Sequence, residues 1–190
     1  MKTRVAVRRF AYGRNFSRVM LAALLTVGLI STAHAAPEGG VVRAGNAQIS
    51  GQGSTTLIKQ STPRAIIDWR RFGINSHEQV QFAQPSVRSA TLNRVTGDQL
   101  SVILGRMDAN GQVLLVNPNG IIFGKSAQVN VGSLIVSTAN IRNDNFLQGK
   151  LEFDQPGRLG AGIINSGRIT AAEGGLVALV APYVRNDGLI

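Results

Sequence analysis

The chain has 190 residues, a formal net charge of +10, 22 glycines and no cysteine. That length supports one domain with a real core, and the missing thiols exclude disulfide staples and thiolate metal sites. Aromatic residues make up only 5%, while Val, Ile, Asn, Gly and Ser recur, a mix that favours many short strands joined by tight turns.

The charge is unevenly placed. Lys2, Arg4, Arg8, Arg9, Arg14 and Arg18 precede an apolar stretch from Val19 to Ile30, and no acidic residue appears before Glu38. Ala33-His34-Ala35 and then Ala36-Pro37 follow. A basic region, a short apolar core and small residues at the cleavage positions mark residues 1–35 as a secretory signal peptide, cut between Ala35 and Ala36. Such a leader engages the inner-membrane Sec export machinery. Its apolar stretch is too short to span the roughly 30 Å of a bilayer's hydrocarbon core. Cleavage removes six basic residues and leaves 14 basic against 10 acidic, so nucleic acid is not an expected partner.

Residues 36–60 are rich in Gly, Ser and Thr, and the pairs Val41-Val42 and Leu57-Ile58 read as weak strands at a domain edge. Ala65-Ile66-Ile67, bounded by Pro63, is a short strand. Trp69 and Phe72 follow as core plugs supporting a coil end or cap, since large aromatics mostly pack. Val80-Gln81-Phe82 alternates, Gln84-Pro85-Ser86 breaks it, and Ala90 to Val95 resumes. Thr96-Gly97-Asp98 turns, Leu100 to Leu104 is apolar, and Asp108-Ala109-Asn110-Gly111 reads as a turn. The unbroken runs Val113–Val116 and Ile121–Phe123 suit strands buried on both faces. Val129-Asn130-Val131 alternates, Leu134-Ile135-Val136 is continuous, and Lys150 to Asp154 alternates as a strand with Leu151 and Phe153 on one side.

Ile164-Asn165-Ser166-Gly167-Arg168-Ile169 recurs as Arg185-Asn186-Asp187-Gly188-Leu189-Ile190, with Asn165, Gly167 and Ile169 matching Asn186, Gly188 and Ile190. Repeats of this length indicate a solenoid. The scarcity of helical periodicity makes it a solenoid of strands, each circuit stacking about 4.8 Å from the last. Ile190 falls in the middle of a repeat, so the chain is expected to be a truncated product or the first part of a longer array.

Chemistry is sparse. Asp108-Ala109-Asn110-Gly111 resembles half of a calcium loop, but the twelfth position is Asn119 instead of an acid. His77 has no partner in its stretch, so zinc and triad readings fail. Asp68, Glu78, Asp98, Asp108, Asp144, Glu152, Asp154, Glu173 and Asp187 are scattered, which argues against a polysaccharide-cleaving enzyme. No cofactor or metal is expected. One turn is spelled fully: Asn117-Pro118-Asn119-Gly120, the preference set of a type I turn between two apolar runs.

"DWRRFGI", "VQFAQPSVRSATLNRVTG", "DANGQVLLVNPNGIIFG", "AQVNVGSLIVST" and "INSGRITAAEGGLVALVAPYVRN" resemble the amino-terminal secretion domain of two-partner-secretion exoproteins, the filamentous-haemagglutinin-like adhesins and haemolysins of Gram-negative bacteria. The likeness spans residues 37–190. It implies an all-β, right-handed parallel β-helix with an N-terminal cap and small extra-helical strands. It also implies a periplasmic encounter with an outer-membrane transporter that carries soluble periplasmic repeats. By the same resemblance Asn117, Pro118, Asn119, Gly120 and Ile121 form the secretion-associated motif. A second family motif, Asn-Pro-Asn-Leu, is absent, and Gln84-Pro85-Ser86 stands in the corresponding region. The expected role of residues 36–190 is therefore secretion targeting, with the product released or held at the cell surface. The alternative is an adhesin module that grips a host surface glycan or protein.

Overall fold

The computed structural model describes residues 36–190, so the expected leader, 1–35, lies outside the described residues. A cap opens the described chain with β1 (Val41–Ala44) and β2 (Ala47–Gln52). The first circuit carries β3 (Thr55–Gln60) and β4 (Arg64–Trp69). The second has β5 (Gln79–Ala83), β6 (Ala90–Val95) and β7 (Ser101–Ile103). The third repeats the set with β8 (Arg106–Ala109), β9 (Gln112–Val116) and β10 (Ile121–Phe123). The fourth runs β11 (Gln128–Val131) and β12 (Ser133–Ser137), leaves the stack through the short helix α1 (Asn143–Leu147), and returns as β13 (Gly162–Asn165). The fifth has β14 (Arg168–Ala171), β15 (Val177–Val180) and β16 (Tyr183–Asn186).

Three sheets result. Sheet I runs β1-β4-β6-β9-β12-β15, sheet II β7-β10-β13-β16, and sheet III β2-β3-β5-β8-β11-β14. Among the described strands every pairing between circuits is parallel, and the antiparallel strand pairs are those of the cap, β1 on β4 and β2 on β3. This is the strand solenoid read from the repeats, with the parallel stacking that the resemblance implies. The cap also has a physical use, because it pairs the first circuit's exposed backbone edge in two sheets. Gly40 lies so close to Trp69 that a Cβ there would sit 2.5 Å from its ring. Trp69 is therefore roofed by the cap, and its indole packs edge-on to Phe72 with centroids 5.6 Å apart.

Each circuit turns inward-facing Ile, Val, Leu and Phe into one continuous core, including Ile58, Ile67, Phe82, Ile103, Val113, Leu115, Phe123 and Ile163. Corners approach closely through glycine: a Cβ on Gly132 would lie 2.7 Å from the Gly111 carbonyl oxygen. The repeat identified at the end of the sequence is seen directly. Asn165 and Asn186 are register partners, 21 residues apart, and the Asn165 Nδ2 donates to Asn186 Oδ1 at 2.8 Å.

A second core lies outside sheet I. Ile66, Leu92, Leu114, Val116 and Ile135 face outward there and are covered by Ile141 and Phe146 of the 139–161 excursion. This is why Val113–Val116 is apolar throughout, since both faces of β9 are buried. Arg94 holds the excursion in place, donating to the Asn140 side chain, the Ile141 carbonyl and Asn143 while its other end meets Asp68. Arg64 stacks over Phe146 at 5.3 Å.

Some local readings need correction. Lys150–Asp154 forms no strand: Leu151 is exposed, and Glu152 and Asp154 answer different partners, Asn145 and Arg142. The alternating pattern there reflects an irregular strap that dips Phe153 onto the second core. The excursion itself holds a helix and one antiparallel bridge, Asn140 to Gln155. Asp108 and Ala109 belong to strand β8 instead of a turn, because neighbouring circuits supply pairing, to Asp108 on both sides and to Ala109 from β5. Ile122 is only half-buried, since no excursion covers sheet II. Among the described residues no helix is long and apolar enough to cross a membrane.

Candidate functional site

The four residues between β9 and β10 make a corner from sheet I to sheet II. The Gly120 amide donates to the Asn117 carbonyl at 3.1 Å, closing the turn predicted from the sequence. Gly120 has φ of +115°, which its missing Cβ makes accessible. Pro118 occupies the second position, where its ring presets φ.

Asn117 is fully buried. Its Oδ1 accepts the Asn119 backbone amide at 2.9 Å and Asn119 Nδ2 at 2.8 Å. Its Nδ2 donates to the Gln99 carbonyl at 3.0 Å and to Ser101 Oγ at 2.9 Å. An asparagine side chain has two donors and two acceptor lone pairs, so its capacity is used in full. Asn119 reaches down as well, with Nδ2 donating to the Gly97 carbonyl at 2.9 Å and the Gln99 carbonyl at 3.2 Å. Asn119 Oδ1 is buried without a hydrogen-bond partner.

The corner is also clipped from above and from the side. The Asn117 amide donates to the Ser137 carbonyl in the next circuit at 3.0 Å, and the Arg158 amide of the excursion donates to the Pro118 carbonyl at 2.9 Å. Ile121 is fully buried and starts β10 in register with Ser101 below and Ile163 above. Thus three circuits and the excursion meet at one turn. The sequence points to the turn but not to Gln99, Ser101, Ser137 or Arg158, which join it from 16 to 40 positions away and carry no local signal.

Beside the corner lies a shallow apolar groove of about 270 Å³, walled by Leu100 and Tyr183 and floored by Gly120 and Gly162. Ile122 and Ile164 line it too, as do Asn119 and Ile121 of the corner itself and Gly160. The groove carries no nucleophile or carboxylate. Among the described residues no group of His, Cys, Asp and Glu is placed to hold a metal ion. Carboxylates serve elsewhere. In the cap, Arg71 and Arg70 hydrogen-bond Glu38 at 2.7 and 2.8 Å and hold its carboxyl below the ordinary carboxylate range. Asp108 accepts from Gln79 and Asn130 and pairs with Arg106.

Trp69 and Phe72 lie in the solenoid core beneath the cap, away from the corner, and the indole Nε1 donates to Asn93 at 3.0 Å. The Gln84-Pro85-Ser86 segment builds a second polar corner. Gln84 Oε1 accepts the Gly111 amide at 2.9 Å, and its Nε2 donates to the Gln112 carbonyl and to Thr91, which in turn donates to Gln60.

Fold and corner together define a capped parallel β-solenoid with a densely hydrogen-bonded turn, whose polar side chains are directed at the protein's own backbone. The family described as TPS secretion domain matches residues 33–190, and the chain belongs to that family of two-partner-secretion domains. It is 35% identical over 187 residues to a heme/hemopexin-binding protein of Haemophilus influenzae (strain ATCC 51907 / DSM 11121 / KW20 / Rd), covering 94% of this chain and 20% of that protein. A second heme/hemopexin-binding protein of Haemophilus influenzae is 42% identical over 84 residues, covering 44% of this chain and 9% of that protein. Among solved structures, the crystal structure of the HMW1 secretion domain from Haemophilus influenzae superimposes with a TM-score of 0.77 at 40% identity, covering 80% of this chain and 41% of that one. The chain thus spans about a fifth of the length of the first of these relatives. Its role is that of the family, targeting an exported exoprotein for secretion, and membership implies an outer-membrane transporter as the partner class.

Proposed function

We propose that the Asn117–Ile121 corner serves secretion through folding, by organising the circuits that meet at it, and not as a contact surface of the finished domain. The observation that carries this reading is the complete burial of Asn117 with every side-chain donor and acceptor engaged internally. A transporter meeting the folded domain has no route to that amide. In this reading residues 1–35 deliver the chain across the inner membrane and are removed between Ala35 and Ala36. Residues 36–190 then meet the transporter's periplasmic repeats in an extended state and fold outside the cell.

The order of the contacts fits such a passage. The downward bonds of the corner use Gly97, Gln99 and Ser101, which precede it in the chain, whereas Ser137 and Arg158 follow it. If the amino-terminal part emerges first, the corner closes on finished circuits and then receives later ones. A domain stability on the order of 5–15 kcal/mol opposes return. The binding that names the Haemophilus relatives is placed, in this reading, in the parts of those proteins that this chain does not cover.

Secretion of Asn117→Ala and Asn119→Ala chains, measured beside the denaturant stability of the purified domains, tests the idea. Folding is the route if export falls in step with stability. Export lost at unchanged stability transfers the role to direct contact, and export unchanged in both variants removes the motif from secretion altogether.

A further inference from the structure

The sequence contains two Asn-Gly pairs, Asn110-Gly111 and Asn119-Gly120. The structure places both at solenoid corners and ties down the same two groups in each. The Gly111 amide donates to Gln84 Oε1 at 2.9 Å, and the Gly120 amide donates to the Asn117 carbonyl at 3.1 Å. The Asn110 side-chain amide donates to the Gln84 carbonyl at 2.8 Å while its Oδ1 accepts the Gln84 amide at 2.8 Å. Asn119 Nδ2 faces the Gly97 and Gln99 carbonyls, which only accept hydrogen bonds, so the amino end of that amide is required there.

An Asn followed by Gly is chemically weak in a flexible chain, because glycine has no Cβ to shield its backbone nitrogen. That nitrogen attacks Cγ of the asparagine and forms the C–N bond of a succinimide. The Cγ–Nδ2 bond breaks, and Nδ2 leaves as ammonia with the glycine amide proton. Water then opens the ring at one or the other carbonyl, giving aspartate or isoaspartate. In the folded domain the attacking nitrogen and the leaving amide are both held by hydrogen bonds. Asn119 Oδ1 has no donor beside it to stabilise the oxyanion of the tetrahedral intermediate.

We propose that Asn110 and Asn119 are deamidation sites of the unfolded secretion domain that folding closes, so that the chain remains able to fold only for a limited time before it does so. The product explains the limit. A carboxylate at 119 has no proton to offer the Gly97 and Gln99 carbonyls and confronts them with negative charge. At 110 it likewise loses the donor to the Gln84 carbonyl. Isoaspartate adds a backbone atom at a corner whose register is set by circuits above and below. The chemistry stands without any assumption about export; only its meaning for transit rests on the proposed extended passage.

The purified chain is held at 37 °C and pH 8, in one arm folded and in the other unfolded in guanidinium. Peptide mass spectrometry and isoaspartyl methyltransferase labelling follow Asn110 and Asn119, with Asn46 and Asn165, which precede Ala and Ser, as internal references. Both Asn-Gly sites are expected to deamidate ahead of the references when unfolded, and roughly a hundredfold more slowly when folded, since reaction must then await local opening. On dilution from denaturant, the fraction regaining β structure is expected to fall as the deamidated fraction rises. Equal rates in the folded and unfolded arms overturn the proposal, as does full refolding of deamidated chain. A failure in this purified system leaves the secretion reading untouched, and a failure of the Asn117→Ala and Asn119→Ala secretion test leaves this chemistry untouched.

Discussion

The corners at Asn110-Gly111 and Asn119-Gly120 share a dipeptide and differ in how they are held. At Asn119-Gly120 the turn closes on itself, with Asn117 bonding two positions ahead through Oδ1 and the Gly120 amide returning to the Asn117 carbonyl. At Asn110-Gly111 nothing local closes the chain. Asn110 and Gly111 both bond to Gln84, 26 and 27 positions earlier. One corner is a local turn reinforced by its neighbours, and the other exists because a neighbouring circuit supplies every partner. A local turn can form as soon as its residues are free to move, while the second corner must wait for stacking.

The sharpest way to break this comparison is Asn117→Ala. It strips four hydrogen bonds from a fully buried site and leaves Asn119 and Ser101 short of partners, so a loss of about 3 kcal/mol is expected in guanidinium denaturation. A loss below about 1 kcal/mol would mean that the corner relaxes around the gap. Next comes Gln84→Ala, expected to cost about 2 kcal/mol by orphaning the Gly111 amide and removing the donor to the Thr91 hydroxyl. If Gln84→Ala proves the more damaging of the two, the local turn is the lesser organiser and the ranking reverses.

Pro118→Ala separates the two further. Pro118 has no amide to lose, so its effect lies mainly in the freedom of the unfolded chain, on the order of 0.5–1 kcal/mol. That loss should appear chiefly as slower refolding if the turn closes early, readable in stopped-flow kinetics. The smallest effect serves as a calibration outside both corners. Arg71 and Arg70 lower the Glu38 pKa, so the ionised carboxylate favours the folded cap. Its contribution is present above the unfolded carboxylate value of about 4.3 and lost as pH falls through the lower folded one. Glu38 is partly exposed, so Glu38→Gln should cost 1 kcal/mol or less at pH 7. It should also flatten the acid limb of a stability-versus-pH curve without moving either corner's mutant effects.

The same contrast explains what could be read in advance. The Asn117–Gly120 turn was legible because its rule is local, four residues with known backbone preferences. Asp108-Ala109 was misread as part of a turn because strand pairing with β5 and β11 overrides a short polar stretch. Lys150–Asp154 failed in the opposite sense. Its period matched a strand, but the circuit had left the stack and no partner lay beside it. The run Val113–Val116 was correctly read as buried on both sides, although nothing in it tells what covers the second face.

Composition, turn chemistry and the 21-residue recurrence of Asn165 at Asn186 determined a stacked all-β chain with polar corners, because those signals depend on neighbours in sequence and on a repeat that stacking must respect. Tertiary structure alone decided that Asn117 is sealed from solvent, that Gln84 holds the other corner, and that the excursion closes over sheet I and onto Pro118. Each of those facts depends on groups tens of residues apart being brought within about 3 Å of one another, the range over which hydrogen bonds form. Only the register of one circuit upon the next sets those distances.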